Sequence, residues 1–198
     1  MFRCEITPDA YLALLEPHHA EALYEVIDSC RPYLRQWLPW VDGSDNPEVT
    51  RSFIRSTLEG FAKLNHVACG IWWRDRIVGV ISLFGISPAH RSAEIGYWLG
   101  EAYQGKGLIT QACRAMCDYG FNERRLNRIV IRTATGNAKS SAVPQRLGFR
   151  LEGTLLEVVW LYDHFEDLHV FAMLTRDWPQ QREVLLESFR RPEERARC

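Results

Sequence analysis

The chain lacks the features that mark proteins of membranes, nucleic-acid complexes and the cell exterior. None of its 198 residues lies in an apolar stretch approaching the roughly 18 residues that a membrane-spanning helix needs. The N-terminal segment "MFRCEITPDAYLALLE" has no apolar run followed by a small-residue cleavage site. The 24 basic and 25 acidic residues leave a net charge of −1, which gives no reason to expect nucleic acid or a membrane as a partner. We therefore expect a cytoplasmic protein.

Closely spaced cysteine pairs of the kind that bind zinc are also absent. Six cysteines stand at positions 4, 30, 69, 113, 117 and 198, and none forms a C-x-x-C pair. Cys113 and Cys117 are four residues apart on one side of a predicted helix, a spacing that can ligate metal, but no histidine is nearby. We expect no metal site and interpret these residues as reduced core thiols of a cytosolic protein.

Hydrophobic residues make up 46% of the chain, which is enough for one sizeable core. Their spacing predicts strands at 11–16, 66–73, 77–85, 92–100, 128–135, 149–162 and 168–178. Helices are predicted at 17–30, at 48–63, from 108 to about 119, and at 137–148. This order predicts a single domain of α+β (mixed α/β) class over residues 1–178. Residues 179–198 are interpreted as a peripheral, partly disordered C-terminal tail.

A glycine-flanked turn, "QGKG" at 104–107, directly precedes a predicted amphipathic helix. It is not a Rossmann fingerprint, because no third glycine follows, and it is not a Walker P-loop, because G-x-x-x-x-G-K-[ST] is absent. An ordinary strand-to-helix connection with Lys106 as a solvated charge would fit. So would a turn whose backbone N–H groups, together with the helix N-terminus, hold a pyrophosphate.

Longer motifs around this turn resemble those of the GNAT N-acetyltransferase superfamily. They are "AEIGYWLGEAYQGKGLITQACRAM", "LNRIVIRTATGNAKSSAVPQRLGF" and the closing strands with Asp167. The chain is most similar to the RimJ/RimL-type branch of ribosomal-protein serine and alanine N-terminal acetyltransferases, over roughly residues 8–178. The superfamily pattern Q/R-x-x-G-x-G/A departs at its last position, which is Ile109, and this branch often carries a bulky residue there.

The resemblance implies a fold, a cosubstrate and a reaction. The fold would be a GNAT domain whose central, mostly antiparallel sheet splays in the middle and is flanked by helices. Acetyl-CoA would donate its acetyl group to a primary amine by direct attack in a ternary complex, without a metal. The acceptor would be the N-terminal α-amine, on Ser or Ala, of a protein such as a ribosomal protein. A homodimer is compatible with the sequence.

The resemblance also implies where acetyl-CoA binds. The pyrophosphate loop would consist of Gln104, Gly105, Lys106, Gly107, Leu108, Ile109 and Thr110. The backbone of Trp98 and Leu99 would lie beside the pantetheine and the acetyl group, and Asn137 would contact the pantetheine arm. Ser140 would lie near the sulfur and assist departure of the thiolate. Asn137 could equally be a helix N-cap, and Ser140 an ordinary first-turn residue.

Glu94 is the candidate general base, since it alternates with the apolar residues of its predicted strand and faces the proposed cleft. A structural ion pair is the alternative interpretation. Some relatives carry a glutamate on the strand that corresponds to "VACGIWW", where this chain has no carboxylate. The acidic segment "DHFED" at 163–167 would either attract a cationic substrate or form a turn.

The chemistry of the amine narrows the choice of acceptor. A peptide α-amine has a pKa near ~7.7–8.0, so that roughly a tenth is neutral at pH 7, whereas deprotonating a lysine would require about 4.6 kcal/mol. A chain with no obvious strong base fits an α-amine better. Two alternatives stay open: acetylation of a small amine such as a polyamine, amino acid or aminoglycoside, and a non-catalytic CoA-binding sensor.

Overall fold

The computed structural model describes residues 3–189, and for residues 186–189 the backbone alone. A single sheet of eight strands runs through the molecule in the order β1-β2-β3-β4-β5-β6-β8-β7. The strands are β1 Arg3–Thr7, β2 Ala10–Leu14, β3 Val67–Trp73, β4 Arg76–Ser87, β5 Ser92–Leu99, β6 Arg128–Ala134, β7 Arg150–Leu161 and β8 His164–Leu174. Every neighbouring pair is antiparallel except β5 and β6.

Six α-helices flank the sheet in the described part of the chain. They are α1 Ala20–Ser29, α2 Arg31–Arg35, α3 Pro47–Ala62, α4 Leu108–Asp118, α5 Ala138–Arg146 and α6 Trp178–Phe189. Helix α3 begins where the Asn46 side chain accepts hydrogen bonds from the N–H groups of Glu48 and Val49, with Pro47 in the first turn. Pro144 lies inside α5, two residues before the helix ends at Arg146.

The one parallel pair is short, and the sheet opens beside it. Residues 92–94 of β5 pair with 128–130 of β6, and no further β5–β6 pairing follows among the described residues. Beyond Glu94, β5 stays paired with β4 to the Gly79–Leu99 position, whereas β6 stays paired with β8 to the Ala134–Leu168 position. The predicted mostly antiparallel sheet that splays in its middle is therefore confirmed.

Each face of the sheet carries its own hydrophobic cluster. One face packs against α4 and α6 through residues such as Ile95, Ile129, Phe171 and Trp178. The other face packs against α1, α2 and α3 through residues that include Leu23 and Ile54. Side chains alternate between the two faces along each strand. The side chains of β4, β5 and β6 that do not belong to the first cluster therefore point towards α1–α3.

Three elements go beyond the sequence prediction. Strand β1 is an edge strand with three exposed residues, so it lacks a continuous apolar pattern. The five-residue helix α2 lies inside an aromatic segment. Helix α6 occupies the first part of the predicted tail and buries Trp178 and Leu185 in the main core. The end of that tail, 190–198, lies outside the described residues, and the domain boundary after residue 178 stays a prediction.

Candidate active site

A large cavity opens where β5 and β6 separate, and residues of α1–α3 line it together with residues of the α4 turn and of α5. Its volume is about 1670 Å³, above the roughly 300–1,000 Å³ of a typical small-ligand pocket. The lining runs without interruption from the 104–110 turn to the β7–β8 hairpin. A cavity of this volume has room for more than one small ligand.

The 104–110 turn forms one end of the cavity. Gly105 and Gly107 have φ angles of +74° and +73°, a region that residues with a Cβ rarely adopt. Gly107 is the residue that precedes α4, and no side chain caps this helix. Because the first intrahelical bond is donated by the Gln111 N–H to the Gly107 carbonyl, the N–H groups of residues 108–110 are open to a ligand. The local geometry is that of an anion site at a helix N-terminus.

Three cationic side chains, Lys106, Lys139 and Arg146, lie around the turn. Lys139 donates from Nζ to Gln104 Oε1 at 3.0 Å, and Arg146 donates to Thr110 Oγ1 at 3.1 Å. The Lys106 ammonium lies 5.2 Å from the centre of the Trp73 ring. Leu108 and Thr110 have buried side chains. These two residues can therefore serve a ligand through their backbone, while Lys106, Lys139 and Arg146 supply positive charge.

The unpaired end of β5 forms the middle of the cavity. Trp98 and Leu99 lie beyond the last β5–β6 pair, so the edge of their backbone that faces β6 has no strand partner among the described residues. Gly79 holds this segment from the other side: a Cβ at that position would lie 2.3 Å from the Trp98 carbonyl oxygen. Only glycine permits this approach. The Trp98 ring packs against Trp40, at 5.9 Å between ring centres.

Helix α5 brings Asn137 and Ser140 to the same cavity. The Asn137 side-chain oxygen accepts a hydrogen bond from the Ser140 N–H at 3.0 Å, so Asn137 is the N-cap of α5. The cap uses the amide oxygen, and any contact with a pantetheine carbonyl falls to the amide nitrogen. The capping interpretation is therefore confirmed, while the ligand contact stays a prediction.

Ser140 is linked to a partly buried tyrosine that the sequence prediction did not include in the site. The Tyr97 hydroxyl donates to the Ser140 carbonyl at 3.0 Å, and Ser140 Oγ lies 3.4 Å from the same hydroxyl. Burial raises the pKa of Tyr97 far above its ordinary value, so its hydroxyl is neutral and can accept from Ser140 as well as donate. Tyr97 belongs to the apolar side of β5. This position indicates core packing and gives no sign of a polar role.

Glu94 lines the cavity as expected, but its carboxylate is occupied. Arg132 of β6 donates from Nε to both Glu94 oxygens, at 3.0 and 2.9 Å, and from a second nitrogen to Oε2. The pairing raises the pKa of Arg132. The ion-pair interpretation of Glu94 is thus what the geometry shows. The general-base role stays a hypothesis.

The β7–β8 hairpin forms the far end of the cavity. It carries the acidic segment 163–167, of which Glu166 lines the cavity. His164 lies between two carboxylates, with Nδ1 2.6 Å from Asp163 and Nε2 3.1 Å from Glu166. Asp163 and then Glu166 raise the pKa of His164 through these hydrogen bonds. Only residues 162 and 163 form the turn, and the other acidic residues belong to β8.

The aromatic loop that follows α2 covers one side of the cavity. Tyr162, in the hairpin turn, donates its hydroxyl to the Leu38 carbonyl at 2.7 Å. The Arg35 guanidinium, at the end of α2, stacks on the Tyr162 ring at 3.8 Å. This is a second contact between this region and the hairpin. Trp37 and Trp40 of this loop line the cavity, and Trp40 stays 37% exposed. Part of the aromatic content of the chain therefore lines the cleft.

Metal and membrane features do not occur in the part of the chain that the structure describes. Residues 3–189 contain no group of three or more His, Cys, Asp or Glu side chains placed to hold a metal ion. Within the same range no helix has the length and apolar character to span a membrane. Cys113 and Cys117 are buried free thiols in the core, and burial raises the pKa of both.

Comparisons with known proteins agree with this geometry. The family model described as "Acetyltransferase (GNAT) domain" matches residues 10–150. "Putative ribosomal N-acetyltransferase YdaF" of Bacillus subtilis (strain 168) is 36% identical over 90% of this chain and 98% of its own length. "Ribosomal-protein-serine acetyltransferase" of Escherichia coli (strain K12) is 32% identical over 86% of this chain and 95% of its own.

A solved structure extends the comparison to a bound ligand. RimL, a ribosomal L7/L12 alpha-N-protein acetyltransferase in complex with coenzyme A, superposes with a TM-score of 0.84 at 25% identity. The match covers 87% of this chain and 98% of the RimL chain.

Proposed function

Because the chain belongs to the acetyltransferase (GNAT) domain family, we propose that it transfers an acetyl group from acetyl-CoA to the N-terminal α-amine of a protein. The acceptor is a Ser or Ala terminus, such as that of a ribosomal protein, and attack occurs directly in a ternary complex. The observation that carries this proposal is the continuous cavity, which joins a helix N-terminus rich in free amides to an open, partly acidic mouth.

Acetyl-CoA is assigned to the end of the cavity at residues 104–110. The free amides and the cationic side chains at this end suit the pyrophosphate, since the N-terminus of α4 favours negative charge. The unpaired edge of Trp98 and Leu99 offers backbone groups to the pantetheine amides. Two comparisons support the assignment: the family match, and the presence of coenzyme A in the RimL structure.

The acceptor amine attacks the thioester carbon from the hairpin end. A C–N bond forms, the C–S bond breaks, the nitrogen loses a proton, and the thiolate gains one. Ser140 is the group placed to hand a proton to the thiolate, with the neutral Tyr97 hydroxyl as its hydrogen-bond partner. Because an ordinary thiol has a pKa near ~8.5, protonation during departure assists the step.

The pKa of a peptide α-amine and the names of the relatives both favour a protein N-terminus over a lysine side chain as the acceptor. Roughly a tenth of a peptide α-amine is neutral at pH 7, so no strong base is required. The relatives from Bacillus subtilis and Escherichia coli are, by name, a putative ribosomal N-acetyltransferase and a ribosomal-protein-serine acetyltransferase. We also propose a cytoplasmic location, which the free cysteines of the described chain support.

An acceptor panel tests the proposal. Release of the CoA thiol is measured with peptides that begin with Ser or Ala, with their N-terminally blocked, lysine-containing twins, and with spermidine. We expect the highest kcat/KM for a peptide with a free Ser or Ala terminus. Faster transfer to the blocked peptide or to spermidine would contradict the protein acceptor. Tight CoA binding without turnover of any amine would favour a sensor.

A further inference from the structure

Charge is distributed unevenly along the cavity. Lys106, Lys139 and Arg146 line the end assigned to acetyl-CoA, and the described lining contains only two acidic side chains, Glu94 and Glu166. Arg132 holds both oxygens of Glu94. Glu166 is therefore the acidic side chain of the lining that no arginine or lysine neutralises among the described contacts.

The backbone places Glu166 beside the reacting end of α5. The residue after it, Asp167, accepts a hydrogen bond through its carbonyl from the Thr135 N–H at 2.9 Å. Thr135 is two residues before the α5 cap, Asn137, which in turn positions Ser140. Glu166 thus lies on the β8 side of the gap in the sheet, and Trp98 lies on the β5 side.

The hydrogen bonding of Glu166 leaves it capable of receiving a proton. His164 Nε2 contacts Oε1 at 3.1 Å, and the structure assigns no partner to Oε2. The Glu166 side chain is 22% exposed and that of His164 is 55% exposed. The carboxylate therefore keeps one oxygen without a hydrogen-bond partner in the described structure, and its histidine partner is exposed to solvent.

We infer that Glu166 is the group that binds the acceptor's amine and takes its proton, with His164 as the link to solvent. The inference rests on the proposed function and assigns its acceptor-side residue. As the C–N bond forms, the nitrogen becomes positively charged and strongly acidic. One N–H proton then moves to Glu166 Oε2, the C–S bond breaks, and the thiolate takes the proton of the Ser140 hydroxyl, which regains a proton from water. The proton on Glu166 leaves through His164 to water.

The test compares Glu166→Gln with Glu157→Gln. Both substitutions remove one carboxylate from the β7–β8 hairpin and keep the shape of the side chain, but Glu157 is exposed on β7 and does not line the cavity. For Glu166→Gln we expect kcat/KM for a Ser-starting peptide to fall about 100-fold, in the range usual for loss of a proton-transfer partner. CoA affinity, measured by calorimetry, should stay within about twofold of wild type in both variants, since neither residue lies at the CoA end.

Two results would overturn the inference. One is a Glu166→Gln variant whose kcat/KM stays within about twofold of wild type. The other is an equal loss in Glu157→Gln, which would reduce the effect to general charge on the hairpin. Failure of the proposed function looks different: the wild type would prefer spermidine or a blocked peptide. The same pair of variants assayed on that amine would still decide the role of Glu166.

Discussion

At the scale of single residues, two hydrogen bonds fix the backbone of Ser140 beside an apolar core. Its N–H is fixed by the Asn137 cap and its carbonyl by Tyr97, so helix and strand both determine where its hydroxyl lies. The adjacent Ser141 faces the core and pairs with Thr133 Oγ1 at 2.8 Å. Two consecutive serines thus have different surroundings, and only the first lines the cavity.

This difference makes the two serines a matched pair of test positions. We expect Ser140→Ala to lower kcat by about 100-fold while CoA affinity changes little, because it removes a proton donor and leaves the backbone contacts. Ser141→Ala should leave kcat near wild type and cost about 1 kcal/mol of unfolding free energy, because Thr133 loses a buried partner. Steady-state kinetics, CoA calorimetry and urea unfolding supply the measurements. A Ser140→Ala defect confined to CoA affinity would leave Ser140 as a cosubstrate contact only.

Glu94 is the residue for which structure most changes the expectation. A general base needs an oxygen free to take a proton, whereas both Glu94 oxygens accept from Arg132. We therefore expect Glu94→Gln to lower kcat by less than about 100-fold, the low end of the range for a lost base. The deficit should be similar at every pH up to 9, because the substitution perturbs the ion pair and removes no proton acceptor.

The decisive measurement is a pH–rate profile of Glu94→Gln with a Ser-starting peptide, run beside wild type. A base becomes redundant once the α-amine is itself neutral, at pH values above its pKa near ~8. A deficit that disappears as the pH approaches 9 would therefore restore Glu94 as the base.

At the scale of elements, the turn before α4 depends on glycine for its conformation and for ligand access. Gly107 has φ +73°, and a Cβ at this position would meet no other atom of the protein within 4 Å. A side chain at this position would therefore enter open space beside the turn without clashing with the protein itself.

Gly107→Val should weaken CoA binding by at least about tenfold. The left-handed conformation costs a residue with a Cβ roughly 1–2 kcal/mol, and about 1.4 kcal/mol corresponds to a factor of ten. Gly153→Val is the control, because a Cβ at Gly153 also meets nothing within 4 Å, but this residue has no positive φ and lies in β7. Calorimetry on folded variants decides the matter. Unchanged CoA affinity in Gly107→Val would remove the turn from the binding site.

The elements around this turn are those the sequence predicts best. Strand β5, helix α4 and helix α5 have regular apolar spacing and clear ends, so their bounds follow closely from the pattern. Strand β1 and helix α2 are short and carry charged or aromatic residues, and their formation depends on neighbours distant in sequence. The Glu94–Arg132 pair joins residues 38 positions apart. No periodicity within one element encodes a contact of that kind.

The same limit applies to the hairpin end of the cavity. The acidic composition of 163–167 is visible in the sequence, but which carboxylate faces the cleft depends on the β7–β8 register. Val159 pairs with Glu166 after an irregularity between Leu155 and Val159. Such an irregularity changes which side chains face inward, and alternation alone does not locate it. Glu166 therefore emerges from the fold and not from the motif.

At the scale of the whole molecule, a large cavity is combined with cysteines whose pKa values, in the described chain, are all raised. Under the proposed function one cavity takes both donor and acceptor, so that attack does not need to pass through an acetylated residue. The described cysteines are poor candidates for one, because the thiolate is the reactive form. Burial raises the pKa of Cys69 to about 12 and that of Cys113 and Cys117 further still.

We therefore expect kinetics of a sequential, ternary-complex mechanism. Initial rates measured over a grid of acetyl-CoA and Ser-starting peptide concentrations should give double-reciprocal lines that intersect. Protein incubated with acetyl-CoA alone should gain no acetyl mass by intact mass spectrometry, since no thiol of the described chain is ionised enough to attack the thioester. A Cys69→Ala variant that keeps its fold should turn over at the wild-type rate. Parallel lines together with an acetylated protein would instead demand a covalent intermediate, and peptide mapping of the acetyl group would identify the residue that forms it.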